Sequence, residues 1–347
     1  MKIRERGVII GKLQTGKKNC ITDVEGVMVG QITLDYPIND NEQYACTGVT
    51  AVLPHGRNLF REKVPAASYV INGFGKTTGL VQVEELGLIE SPIMLTNTFG
   101  VPSVTQGTLE YLLRTTPEIG DTTGTVNIVV GECNDGYLNS IRALPVKPQH
   151  AIAAIENANQ EKAEEGAVGA GKGMVCFGYK GGVGASSRVI SEEQSSKDYI
   201  IGCLVVSNFG NKDEFRFSKY GLSEIRQEKK DTPDGSIMII LATDTPLSDR
   251  QLKRLAKRCG IGLGRTGSHF SNGSGDIVIA FSTANKILHG SSNMIETAQF
   301  IRDDHPLMNQ LFQGAAEAAE EAILNSLSQA RTTKGRKGRV VEGMFSQ

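Results

Sequence analysis

The chain of 347 residues has no tryptophan, no Cys-x-x-Cys pair and no His-Glu-x-x-His stretch. It also has no uninterrupted apolar run of the ~18 residues needed to cross a bilayer. These absences argue against a zinc knuckle, a redox dithiol, a zinc protease and a helical membrane protein. Charge of one sign is lacking as well. Thirty-seven Lys and Arg nearly balance 38 Asp and Glu, for a formal net charge of -1. Nothing in that balance favours nucleic acid or an anionic membrane as partner. The six cysteines (Cys20, Cys46, Cys133, Cys176, Cys203, Cys259) read as free, mostly buried thiols. Neither they nor the five histidines carry metal-ligand spacing, so neither a metal nor another cofactor is expected. The start, Met1-Lys-Ile-Arg-Glu-Arg, is charged and unlike a signal peptide, which makes the cytoplasm the expected location. A short basic group, Lys334, Arg336, Lys337 and Arg339, reads as a solvated tail.

Glycine is abundant, at 40 residues, and implies many tight turns and close backbone approaches. Short Val- and Ile-rich runs bounded by Gly, Asn or Asp predict strands at Ser68–Ile71, Ser91–Leu95, Thr125–Val130, Met174–Phe177, Ile200–Val206, Ser236–Ala242 and Gly275–Ser282. Helices are expected at Thr105–Arg114, with Leu109, Leu112 and Leu113 on one side, at Ala151–Ala158, and from about Pro306 to Leu327. The clearest helix is Ser248–Cys259. Ser248 and Gln251 make a capping box, and Leu252, Leu255, Ala256 and Cys259 fall on one face. Length allows one large domain or two, and the mixture of strands and helices predicts a layered α/β or α+β sandwich.

From Asn211 to Gly235, 12 of 25 residues are charged, against 22% for the whole chain, so this stretch reads as an exposed connector with little to form a core. It ends in Thr232-Pro233-Asp234-Gly235, and a fully apolar strand pattern begins at Ser236. A chain could be cut at such a join without disturbing the core.

Two motifs bear on chemistry. Gly166–Gly173 almost spells a phosphate-binding loop, but Gly173 stands where the magnesium-binding hydroxyl belongs. The flanking pattern, helix before and strand after, is also the reverse of that motif. The residues favour a flexible loop leading into a hairpin that includes Gly181–Gly184. The second motif, Asp234-Gly235-Ser236, is by itself an ordinary turn before a strand. It also fits a chain break that leaves Ser236 with a free α-amine. An amine of pKa ~7.7–8.0 can act as general base for its own hydroxyl. That arrangement needs no partner histidine, and no serine here lies in a Gly-x-Ser-x-Gly elbow.

Several stretches together resemble the DmpA/β-aminopeptidase family, which comprises L-aminopeptidase/D-esterases and β-peptidyl aminopeptidases. They are Ser236–Leu247 with Gln251–Arg258, Arg265–Ser268, Gly273–Asp276, Val130–Asn139, Val206–Gly210, Asn72–Gly75 and the Gly166–Gly173 loop. The resemblance spans nearly the whole chain. It implies a four-layer αββα sandwich of the ornithine-acetyltransferase-like type, an α+β fold in a single domain. It implies self-cleavage between Gly235 and Ser236 into a large subunit, 1–235, and a small one, 236–347, and assembly into a homo-oligomer of such pairs. Residue by residue, Ser236 matches the nucleophile, and Ser274 and Asp276 match the serine and acid that orient it and move protons; two apart on a strand, those two face the same side and can form one relay. The acid is often glutamate in the family, one methylene longer. Asn208 matches the oxyanion-hole residue and Tyr137 a tyrosine lining the site. Glu132 is the carboxylate that an aminopeptidase needs for its substrate's ammonium. The implied activity is release of N-terminal residues from small peptides, amides or esters without a cofactor. Two other readings stand beside it, an unprocessed binding or scaffold protein and an acyltransferase. Acyltransferases of this type ordinarily use threonine as nucleophile.

Overall fold

The computed structural model describes residues 1–39, 42–191, 197–223 and 235–345. The main strands are β1 (Met28–Pro37), β2 (Tyr44–Leu53), β3 (Glu62–Gly73), β4 (Ile93–Asn97), β5 (Val129–Cys133), β6 (Gly182–Ile190), β7 (Tyr199–Asn208), β8 (Ser236–Thr243) and β9 (Gly275–Ser282). The helices are α1 (Leu80–Leu86), α2 (Val101–Thr115), α3 (Pro148–Glu156), α4 (Asp249–Thr266) and α5 (Leu307–Gln329).

One sheet has the order β1-β2-β4-β5 and the larger has β3-β9-β8-β7-β6, extended at its β3 edge by two-residue ladders. Only β4/β5 and β8/β9 pair in parallel; the other main pairs are antiparallel. Alternation along the strands sorts side chains into three apolar layers. Val130, Met94 and Ala51 face Val104 and Leu112 of α2 and Ala151 and Ile155 of α3. Leu95 and Val129 meet Val206, Met238, Ile240 and Ile279 between the sheets. Ile239, Leu241 and Val278 face Leu252 and Leu255 of α4 and Ala315 and Ala319 of α5. The result is the expected αββα stack, with β8 and β9 covered on both faces and buried along their whole length.

Local patterns account for most elements. Ser248 caps α4, with the Ser248 amide donating to Gln251 Oε1 at 3.0 Å, and the expected apolar stripe is buried. In α2 the buried side differs from the expected one. Val104, Thr108 and Leu112 point inward, whereas Leu109 and Leu113 are exposed, because the inward face follows positions 101, 104, 108 and 112. Helix α5 is buried nearly all round. Two of its three acidic residues are matched by buried or largely buried arginines: Arg188 on β6 bonds Glu317 at 3.1 Å and Glu321 at 2.7 Å, and Arg4 adds a second bond to Glu321 at 2.8 Å.

Other expectations shift. The strand placed at 125–130 forms at Val129–Cys133, and that at 174–177 shrinks to Val175–Cys176, hairpinned to Tyr179–Lys180. Of the glycine stretch expected in a hairpin, Gly182–Gly184 lies in one: it opens β6, which pairs antiparallel with β7. The charged connector contains core residues after all. Phe215 and Tyr220 are buried, and Phe215 packs on Phe177, with ring centroids 5.0 Å apart. Thr232, Pro233 and Asp234 lie outside the described residues. The basic tail is also not free. Thr333–Lys334 pairs with Val340–Val341, and the Arg336 amide donates to the Leu138 carbonyl at 2.7 Å.

Candidate active site

The ends of β5 and β7 and the beginnings of β8 and β9 converge at one end of the sandwich. Asn208, the last residue of β7, is the direct antiparallel partner of Ser236, the first of β8. Directly opposed residues share a sheet face with Cβ atoms ~4.5–5.5 Å apart. Topology thus puts the amide beside the hydroxyl. The orientation of that amide is determined by its neighbours. Asn208 Oδ1 accepts from the Val175 N–H at 2.8 Å, and Nδ2 donates to the Asn134 carbonyl at 2.9 Å. An amide nitrogen has two protons. One Nδ2 proton is left for another acceptor.

Ser236 Oγ accepts a hydrogen bond from the Gly275 N–H at 3.1 Å. One residue to either side of Gly275, the Ser274 hydroxyl donates to Asp276 Oδ1 at 2.6 Å. The pair expected from their two-residue spacing is therefore formed, and it flanks the serine. Asp276 is buried, and its Oδ2 has no hydrogen-bond partner among the described residues. Burial pushes its carboxyl up to about 6; the bonds from Ser274 and the Ile237 amide only partly offset this.

Gly235 has the tightest backbone approach at the site. A Cβ on it would stand 1.6 Å from the Asn208 carbonyl oxygen, so only glycine fits there. The bond between 235 and 236 is thus pressed against the strand that supplies the amide.

Glu132 lies near the end of β5 and is buried. Its Oε1 accepts from the Lys76 N–H at 2.8 Å, and its Oε2 from the Thr98 hydroxyl. Gly75 connects it to the serine: a Cβ on Gly75 would lie 3.6 Å from Glu132 Oε1 and 3.7 Å from the Gly275 Cα. Burial and then Glu132, with Asp276 and Asp135 further down in weight, push the Cys133 thiol well above its ordinary value, a second sign that these carboxylates converge.

Tyr137 belongs to the same loop, three residues after Asn134, and is half-buried. Its bonds run to the C-terminal segment. Arg339 Nη1 donates to the Tyr137 carbonyl at 3.0 Å, and the guanidinium lies 4.7 Å from the ring centroid. Ser236, Ser274, Asp276, Asn208 and Glu132 are thus linked by contacts, and Tyr137 joins them through its loop. Beneath that loop lie two groups that the sequence did not single out. Burial raises Asp135 to about 7, and burial lowers Lys180 to about 7. Lys180 Nζ bonds the carbonyls of Gly171, Met174 and Gly181 and so braces the hairpin that carries Val175. Thr98, the Lys76 amide and the Gly275 amide were also missed. Two of these are backbone groups, and Thr98 is an unremarkable residue far from Glu132 in sequence.

The layer order and the serine at the head of a central strand define the class: an N-terminal-nucleophile type of hydrolase fold. Within that class, the chain belongs to peptidase family S58, whose sequence profile matches residues 19–341. It is 38% identical to the beta-peptidyl aminopeptidase BapA of Sphingosinicella microcystinivorans, over 94% of this chain and 85% of that protein. The PH0078 protein of Pyrococcus horikoshii OT3 superposes with a TM-score of 0.91 at 46% identity, covering 99% of this chain and 96% of that one. The L-aminopeptidase D-Ala-esterase/amidase of Ochrobactrum anthropi, described as a prototype for the serine aminopeptidases and a variant of the Ntn hydrolase fold, gives a TM-score of 0.90 at 34% identity, covering 99% and 95%.

Proposed function

We propose that this chain is a serine aminopeptidase that matures by breaking its own 235–236 bond and then works from the free amine of Ser236. The observation that carries this reading is the setting of that bond, with Gly235 packed on the Asn208 carbonyl and the Ser236 hydroxyl held by Gly275 beside the Asn208 amide.

For maturation, Ser236 Oγ attacks the Gly235 carbonyl carbon, the C–N bond breaks as the nitrogen takes a proton, and water hydrolyses the resulting ester. Ser274 and Asp276, whose Oδ2 has no partner among the described residues, flank Gly275, which holds the Ser236 hydroxyl, and they are read as the groups that serve the new α-amine. In turnover, Glu132 holds the substrate's ammonium, since Lys76 and Thr98 occupy only part of its acceptor capacity. Ser236 Oγ attacks the first carbonyl carbon as its proton passes to the α-amine. The free Nδ2 proton of Asn208 bonds the oxyanion, and Tyr137 lines the same side. Collapse expels the leaving amine, which takes the proton, and water then releases the acid. The chemistry suits small peptides, amides and esters and calls on no cofactor.

The large and small pieces stay together as one sandwich, and the mature protein is read as a cytoplasmic homo-oligomer of such pairs. Apolar side chains that lack cover in one copy, Met294 and Ile295 among them, support assembly. Intact-mass analysis tests the proposal. The expected result is two fragments, the smaller beginning Ser-Ile-Met-Ile, and a single unhydrolytic chain for Ser236→Ala. Full activity in Ser236→Ala overturns it.

A further inference from the structure

Resting on the aminopeptidase reading, the rims of the site indicate which substrates it takes. Three of the twelve phenylalanines are largely exposed: Phe74, Phe99 and Phe300. Two of these three border the site. The Phe74 amide donates to the Ser274 carbonyl at 3.2 Å, which fixes Phe74 directly beside the serine–acid pair. Two residues on, the Lys76 amide holds Glu132 Oε1. On the other side, Thr98 holds Glu132 Oε2, and Phe99 is the next residue. The two rings are therefore carried by the two segments that grip the carboxylate. Neither ring belongs to any of the apolar clusters of the fold. Leaving such rings in water forgoes a large apolar contribution, and an aromatic surface beside a polar anchor is the usual composition of a ligand pocket. The Lys76 ammonium lies 4.4 Å from the Phe74 ring centroid, and both side chains are exposed.

We propose that Phe74 and Phe99 are specificity-determining residues that wall the pocket for the side chain of the substrate's first residue, and that this pocket takes aliphatic and aromatic side chains. With the ammonium held at Glu132 and the carbonyl at Ser236, the side chain between those two points extends toward the rings. Lys76 offers an acidic first residue an ammonium, but that residue must shed water against two rings.

The test is a panel of L-alanyl, L-leucyl, L-phenylalanyl and L-glutamyl p-nitroanilides. Wild type is expected to favour leucyl and phenylalanyl over glutamyl. Phe74→Ala and Phe99→Ala are expected to lower kcat/KM for leucyl and phenylalanyl by roughly tenfold or more, the scale of one lost apolar contact, with alanyl left within about twofold. Phe99→Leu should restore most of the loss. Equal losses on all four substrates overturn the proposal, as does an unchanged profile. So does a change of oligomer size on gel filtration with selectivity preserved, because the rings would then be covered by a second copy. A wild type inactive on this panel and on the matching D-aminoacyl and β-aminoacyl anilides defeats the aminopeptidase reading itself, whereas an active wild type with indifferent phenylalanine variants defeats only this inference.

Discussion

Asn208 and Ser236 face each other across adjacent antiparallel strands, and the Asn208 carbonyl occupies the space that any side chain on Gly235 would enter. In the proposed maturation, one residue therefore serves the site twice, by its backbone at the 235–236 bond and by its side chain beside the attacking hydroxyl. Gly235→Ala is expected to leave the chain in one piece. On a denaturing gel it should run as a single band where wild type is expected to give two. Cleavage at the wild-type rate in this variant would show that the close approach is irrelevant.

The Asn208 side chain makes a separate prediction. Its amide is oriented by Val175 and Asn134 and keeps one free proton. Asn208→Ala should lower kcat by about a hundredfold to a thousandfold with KM little changed, the effect of losing one oxyanion donor. A loss confined to KM would place the residue in substrate binding instead.

Asp276 should set the acid limb of the pH profile. Its carboxyl, raised to about 6 by burial, is neutral below that pH and an acceptor above it. Activity should climb as pH rises through about 6, and Asp276→Asn should remove that limb along with most of the activity. Stability runs the other way. A folded pKa above the ordinary value means that the fold binds this proton more tightly than the unfolded chain, so the contribution is present at low pH and lost as pH rises through about 6. Thermal melts should show Asp276→Asn gaining on wild type at pH 8 but not at pH 4.

Arg188 is expected to matter for stability rather than catalysis. It is fully buried and carries bonds to both Glu317 and Glu321. Removing one member of a buried ion network costs roughly 3–5 kcal/mol. Chemical denaturation of Arg188→Ala should show a loss of that size, and a change below about 1 kcal/mol would mean that Arg4 at Glu321 and the Lys12 and Leu13 amides at Glu317 suffice for the glutamates.

What was legible in the sequence follows from chemistry that repeats locally. β8 and β9 are apolar along their length because they are covered twice, and the α4 cap and stripe need only neighbours within one turn. β6 was missed for the opposite reason. Its Gly-Val-Gly-Ala-Ser-Ser run lacks the apolar pattern of a strand, although its first residues read as part of a hairpin; α5 packs so closely that a Cβ on Gly184 would stand 2.0 Å from the Ala322 carbonyl, and Ser186 donates to the Ala318 carbonyl at 2.7 Å. Small residues were demanded by a helix more than a hundred positions away. The C-terminal cations misled similarly. Arg339 looks like a solvated charge until Tyr137, distant in sequence, is brought beneath it. In the site, the Ser274–Asp276 pair could be foreseen from its spacing. The grip of Thr98 and Lys76 on Glu132 could not, because it depends on three separate segments meeting.

The strand order has a mechanical consequence for a molecule cut before Ser236. β8 is flanked by β7, from the upstream piece, and by β9, from its own piece; β9 in turn is flanked by β3, from the upstream piece again. The two fragments are laced through one continuous sheet, and pulling them apart means unzipping a ladder on each side. Cutting the backbone therefore creates a chain end without creating a seam, so the nicked protein should melt in one step, and its halves, once separated, should not trade partners in the native state.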